Sequence, residues 1–299
     1  MACATACASR SASSGGAKEA DSATAAPASG DVATLPLPAV PAEMTEPADR
    51  ASFVTAHFWD ALDFGSDPQA LDSAFMEQNF ANFLSVLAVT PSEQAQHAVD
   101  NLLSRSLERP EAFDILWWVT THYLDDPNSP MRDEELLILF LRHASADNNI
   151  PEATRQRSAF RLTQALKNRR GTTGADFRFI GRDGTESTLH RALRGAAQTI
   201  VMFYDPDCEV CADVEKRLAS DQELNSRIKS GEVQILAIDP FDTDPEEWSR
   251  HAATLPAQWT VGRSPGGEVD EKEIYDIRAT PTIYILDSAG TVIGKDVAF

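Results

Sequence analysis

Between residues 51 and about 168 the apolar residues recur every three or four positions with little strict alternation, the pattern of amphipathic helices. Phe53, Val54, Phe58 and Leu62 share one face, and Leu71, Phe75, Phe80, Phe83, Leu84 and Leu87 share another. Thr90-Pro91 followed by Glu93 reads as a capping box with proline at the first helical position, and Leu102, Leu103 and Leu107 continue that helix. Further helices are predicted over about 110–124, 132–146 and 151–168, parted by Asp125-Asp-Pro-Asn-Ser-Pro130 and Asp147-Asn-Asn149. The stretch is an all-helical domain of about six helices.

After Arg169-Arg-Gly-Thr-Thr-Gly174, read as a short linker, the period changes. Asp176-Phe-Arg-Phe-Ile180 alternates, while Thr199-Ile-Val-Met-Phe-Tyr204 and Val233-Gln-Ile-Leu-Ala-Ile238 are apolar runs of buried-strand length. Residues 282–286 and 291–293, joined across Asp287-Ser-Ala-Gly290, form a terminal hairpin. Helical stretches at about 223–229, 245–253 and 271–277 separate the strands, so this part is an α/β sheet of about five strands.

The first 49 residues are a different material, with Ser11-Ala-Ser-Ser-Gly-Gly16, Ala23-Thr-Ala-Ala-Pro-Ala28 and Leu35-Pro-Leu-Pro-Ala-Val-Pro41. Small, polar and proline-rich, they read as a disordered tether. The expected organisation is a tether over 1–49, an all-helical domain over 50–170 and an α/β domain over 171–299.

Of the 299 residues 42% are hydrophobic, enough for a core in each domain. The net charge of −20, from 26 Lys+Arg against 46 Asp+Glu, argues against a nucleic-acid partner, which needs a basic footprint. No run approaches the roughly 18 apolar residues of a membrane-spanning helix.

The chemistry concentrates at Cys208-Glu209-Val210-Cys211, between the apolar run ending at Tyr204 and the helix-like Ala212-Asp-Val-Glu-Lys-Arg-Leu-Ala219. Two thiols at this spacing on a strand-to-helix turn can close on each other and exchange disulfides with a partner. A zinc half-site has the same spacing, but the chain has four cysteines, and the other two, Cys3 and Cys7, lie in the tether. His190 and His251 are not at metal-motif spacing, so no metal is assigned. About seventy residues on, Ala279-Thr280-Pro281-Thr282 enters another apolar strand with a proline at its mouth, read as a cis-proline.

Strand, CxxC, helix and Thr-Pro-strand in this order suit a thioredoxin-like fold, and residues 171–299 resemble the thioredoxin-like modules of the bacterial cell envelope. The residues that carry the resemblance are Phe203-Tyr-Asp-Pro-Asp-Cys-Glu-Val-Cys211, Trp248, Trp259, Tyr275-Asp-Ile-Arg-Ala-Thr-Pro-Thr282 and Tyr284-Ile-Leu-Asp287. The whole chain looks like a family of lipoproteins of Gram-negative anaerobes that joins an uncharacterised helical domain to such a module.

The resemblance implies a thiol-disulfide oxidoreductase that needs no cofactor. Cys208 is then the attacking sulfur, Cys211 the resolving one, and Thr280 and Pro281 flank the dithiol, with the Thr280 backbone available to a substrate strand. It also implies disulfide-containing protein substrates, a membrane thiol reductase as electron donor, and a periplasmic or outer-membrane location with Cys7 or Cys3 lipidated. Against the lipid anchor, Ala4-Thr5-Ala6-Cys7 lacks the large aliphatic residue of a lipobox and no apolar segment precedes it, so a cytoplasmic location stays open.

The chain departs from cytosolic thioredoxins six residues before the first cysteine, where Met202 replaces a buried aspartate, so another base or water must deprotonate Cys211. The helix N-terminus favours a negative sulfur at Cys208, whereas Asp205, Asp207 and Glu209 oppose it. The balance points to a reductant rather than an oxidant. A peroxiredoxin-like peroxidase is disfavoured because Asp205 stands where those enzymes place Thr or Ser, and a scaffold with a structural disulfide is the non-catalytic alternative.

In the helical domain, Phe58-Trp59 and Trp117-Trp118 are expected in the core, and His57, His97, His122 and His143 are read as ordinary polar groups. The domain is expected to present substrates or bind a partner, with no catalysis of its own.

Overall fold

The computed structural model describes residues 32–299. Cys3 and Cys7, and with them the lipidation expectation, lie outside the described residues. Six α-helices come first: α1 (Pro47–His57), α2 (Ser73–Leu87), α3 (Ser92–Ser106), α4 (Pro110–Leu124), α5 (Glu134–Ala146) and α6 (Glu152–Leu166). Their apolar stripes meet in one core that includes Phe58, Trp59, Phe80, Phe83, Leu103, Leu116 and Phe140. Phe80, Phe83 and Phe140 are wholly buried, and truncating any of them to alanine would cost about 3–5 kcal/mol.

Several expectations fail in detail. The Thr90 capping box does not form: Thr90 Oγ1 donates to Val86 O (2.9 Å) and lies 2.7 Å from Thr55 Oγ1, and Pro91 is the N-cap of α3 with no side-chain cap. The buried Thr55 hydroxyl competes for the same side chain. Trp118 is 50% exposed and stacks on His122, outside the core. Within the segment expected to be tether, Leu35 is instead buried in the helical core and its N–H donates to Asn79 Oδ1 at 2.8 Å. Proline bars a helix there, but an extended chain can still insert a leucine.

The rest is a seven-stranded sheet of β1 (Arg178–Gly181), β2 (Glu186–Thr188), β3 (Gln198–Phe203), β4 (Val233–Asp239), β5 (Thr260–Arg263), β6 (Thr282–Asp287) and β7 (Val292–Lys295), in the order β2-β1-β5-β4-β3-β6-β7. β3 and β4 run parallel, as do β4 and β5; β6 lies antiparallel to β3 on its other side. The helices are α7 (Leu189–Ala192), α8 (Glu209–Ser220), α9 (Gln222–Lys229), α10 (Pro245–Ala252) and α11 (Glu268–Glu271). Alternation along β3 sends Met202 and Tyr204 to one core with Cys211, Val214, Trp248 and Trp259, and Val201 and Phe203 to the other with Phe177, Tyr275 and Tyr284.

β2 and β5 were absent from the sequence expectation, and of the expected helix over 271–277 only Glu271 is helical, as the last residue of α11. Glu273, two residues beyond the end of α11, has φ +46° and turns the chain away. The expected linker is also not free. Gly171 and Gly174 donate their N–H groups to Val292 O and Gly290 O at 2.8 and 2.9 Å, and Val292 returns a bond to Thr172 O, so this segment covers the β7 edge. At Gly174 a Cβ would stand 2.8 Å from Leu286 Cδ2, which explains glycine at that position.

Candidate active site

β3 delivers the chain to the sheet's C-terminal edge, and a turn follows in which Asp205 Oδ1 accepts the Asp207 N–H (2.9 Å) and Asp205 O accepts the Cys208 N–H (3.1 Å). This turn sets Cys208 in extended geometry as the N-cap of α8, where its Sγ accepts the Cys211 N–H at 3.1 Å. The sulfur thus takes the place of the usual capping oxygen, at the end of the helix where unpaired N–H groups favour negative charge.

The two sulfurs differ in access. Cys208 is half-buried, whereas Cys211, one turn into α8, has no exposure. Burial pushes the Cys211 thiol up to about 12, with the neighbouring Cys208 adding to the rise and contacts from the Asp205 backbone and the Thr280 side chain opposing it. Both cysteines are free thiols.

Across the site, the Thr280–Pro281 peptide is cis, and Cys208 Sγ donates to Thr280 O at 3.4 Å. The structure therefore brings Cys208, Cys211, Thr280 and Pro281 together. Val210, at 60% exposure, and the exposed Ala279 add apolar surface at the rim, and Asp207 and Glu209 add exposed carboxylates.

Met202 is fully buried on the Cys211 face of the sheet. With methionine there, another base or water must deprotonate Cys211, and this face carries two buried carboxyl groups. Glu215 follows Cys211 by one helical turn, a spacing that places both on one face of α8, and its Oε1 lies 3.1 Å from His251 Nε2. His251 stacks on Tyr204, whose hydroxyl accepts from Trp248 Nε1 at 3.1 Å. Burial, with Asp239 and Glu215 nearby, pushes the Tyr204 phenol well up, so it stays neutral. Asp239, at the end of β4, is also fully buried, and burial raises its carboxyl above the ordinary aspartate range. The i, i+4 spacing was a readable signal for Glu215; nothing local marked Asp239.

The comparisons follow this division of the chain. Residues 9–168 match the model of a domain of unknown function, DUF5106, and residues 185–296 match a thioredoxin-like domain. A thioredoxin-like protein from Bacteroides caccae is 30% identical, with 89% of this chain and 95% of that one covered and a TM-score of 0.77. A likeness of that extent spans the helical and sheet domains together. A conserved protein of unknown function from Bacteroides fragilis is 38% identical, covering 44% of this chain and 93% of that one at a TM-score of 0.41. The thioredoxin domain of a thiol-disulfide oxidoreductase from Bacteroides vulgatus is 20% identical, covering 44% and 89% at 0.38. No curated protein matches the chain.

Proposed function

We propose that this chain, which belongs to the DUF5106 family and carries a C-terminal thioredoxin-like domain, is a thiol-disulfide oxidoreductase that reduces disulfides of proteins in the bacterial envelope. The observation that carries the reading is the asymmetry of the dithiol: Cys208 Sγ sits at the mouth of α8, 3.4 Å from Thr280 O, and Cys211 is closed off one turn behind it.

Cys208, as thiolate, attacks one sulfur of the substrate disulfide. That S–S bond breaks, a mixed disulfide to Cys208 forms, and the first substrate sulfur leaves with the electron pair and takes a proton. Cys211 then loses its proton and attacks Cys208 Sγ, releasing the second substrate thiol and leaving a Cys208–Cys211 disulfide. Two electrons have passed to the substrate, and a dithiol donor of the membrane restores the pair. The proton on Cys211 is the hard step, because burial holds it on the sulfur. Glu215, paired with His251 one turn along the same helix face, is the base assigned to receive it. Negative charge from Asp207 and Glu209 around the dithiol favours the neutral disulfide, hence a reductant.

For location, the reading is a lipid anchor through Cys7 or Cys3. Among the described residues no helix is long and apolar enough to cross a membrane. Metabolic labelling with a fatty acid would detect the anchor, and unlabelled protein found wholly in the cytosol would rule it out.

The reaction is tested by turnover of a disulfide peptide with dithiothreitol as electron donor. The wild type should reduce it and Cys208→Ser should not, while Glu215→Gln should accumulate the mixed disulfide and turn over at least about tenfold more slowly. A wild type without turnover would leave the scaffold reading in its place.

A further inference from the structure

The segment that leads into Thr280 is held by the helical domain. Arg161, on α6, is 13% exposed and reaches three carboxylates: Asp125 Oδ1 at 3.0 Å, Glu134 Oε1 at 2.9 Å and Asp276 Oδ2 at 3.4 Å. Asp276 itself is buried, and it belongs to the stretch between α11 and β6. Two residues before Thr280, Arg278 sends Nη1 to the same Asp125 Oδ1 at 2.9 Å, with Nε 3.6 Å from Asp276. Asp125 at the C-terminus of α4 is thus shared by an arginine of its own domain and an arginine of the active-site loop.

Further anchors precede these. Asn168 Nδ2 donates to Ile274 O at 2.8 Å, and Gln164 Nε2 and Lys167 Nζ reach Glu273 Oε2 at 3.0 and 2.8 Å. The stretch from Glu273 to Arg278 has no regular secondary structure. Its own domain anchors it through the buried Tyr275, whose hydroxyl donates to Ala175 O at 2.9 Å, and through the Ile274 N–H bond to Val269 O at 3.0 Å; side chains of α6, Asp125 and Asn168 add the anchors from the helical domain. Burial alone would weaken the Arg161 charge, but the Asp125 and Glu134 carboxylates outweigh it and keep the arginine cationic. A buried charge satisfied on several sides defines one geometry, and removing a partner leaves the others uncompensated.

We infer that the helical domain serves as a clamp on the loop that faces the dithiol, with Arg161, Asp125 and Arg278 as positioning residues that hold Thr280 against Cys208. The inference deepens the oxidoreductase reading and rests on it. It adds to the expectation that the helical domain presents substrates or binds a partner, and it assigns that domain a part in forming the substrate-binding edge. The loop's backbone must be in place for an incoming strand to align its disulfide with Cys208, so a loosened loop should weaken capture of the substrate more than the exchange itself.

The full chain is compared with Asp125→Asn, Arg278→Ala and the conservative Arg161→Lys, reading two quantities in each: amide hydrogen exchange of residues 273–282 by mass spectrometry, and steady-state reduction of a disulfide peptide. Arg278 is partly exposed, so its removal should leave the cores intact. Expected for Asp125→Asn and Arg278→Ala are exchange at least tenfold faster in 273–282 and a KM raised several-fold with kcat changed less, with Arg161→Lys falling between them and the wild type. Unchanged protection in 273–282, or unchanged KM in a loosened loop, overturns the clamp. A wild type that reduces no disulfide overturns the oxidoreductase reading, and the positioning role with it.

Discussion

Cys208 Sγ and the carbonyl oxygen of Thr280 lie 3.4 Å apart although 72 residues separate them in the chain. β3 and β6 create the meeting, because their antiparallel pairing puts Phe203 opposite Thr282 and brings the exit of one strand beside the entrance of the other. On the proposed reading, the dithiol at the first position is the nucleophile for an incoming disulfide and the backbone at the second is the edge it rests on.

The two sulfurs should be chemically distinct. With its thiol held near 12, Cys211 has a thiolate fraction on the order of 10⁻⁴ at pH 8, and its burial excludes reagent besides. Iodoacetamide on the reduced folded protein should therefore modify Cys208 at least about 100-fold faster than Cys211, and in denaturant the two should become alike. Equal rates in the folded state, followed by peptide mass spectrometry, would remove the asymmetry on which the mechanism depends.

The same burial makes stability depend on alkaline pH. Cys211 in the unfolded chain titrates near about 8.5, but in the folded chain only near about 12, so above the lower value the unfolded chain binds fewer protons. The contribution of Cys211 is complete below the unfolded value and is lost as pH rises toward the folded one. Urea midpoints of the reduced protein should fall between pH 8.5 and 10.5, more steeply than those of Cys211→Ala. Parallel slopes would contradict the assignment.

Lys295 should matter far more than a terminal lysine usually does. Its Nζ, on a side chain 4% exposed, reaches Glu134 Oε2 and the carbonyls of Ala165 and Lys167, so the end of β7 caps the end of α6. Lys295→Met should cost about 3–5 kcal/mol, because Glu134 and the carbonyls lose a buried partner. Equilibrium denaturation measures the loss, and a change below about 0.5 kcal/mol would show that the contact contributes little.

The parts of this molecule that local spacing controls were legible in sequence. Helical periodicity marked the six helices, and the apolar run into Cys208 and the proline before β6 marked both sides of the site. β2 and β5 were not legible for different reasons. Glu186-Ser-Thr188 is short and polar, and β5 contains Gly262, a residue that argues against a strand but is required here because a Cβ would stand 2.5 Å from the Phe179 ring. The clamp was invisible because Arg161 and Asp276 are 115 residues apart, and pairing at that distance is decided by tertiary packing. Leu35 was hidden by its prolines, whose composition reads as tether whether or not one leucine finds a pocket.

Attack by Cys208 and resolution by Cys211 separate cleanly when each cysteine is removed in turn. The reduced Cys211→Ser and Cys208→Ser variants are incubated with a disulfide-bonded peptide, and any mixed disulfide is mapped by non-reducing mass spectrometry. The expected result is a stable adduct on Cys208 in Cys211→Ser, with none on Cys211 in Cys208→Ser. An adduct on Cys211 as readily as on Cys208, or on neither, would contradict the account.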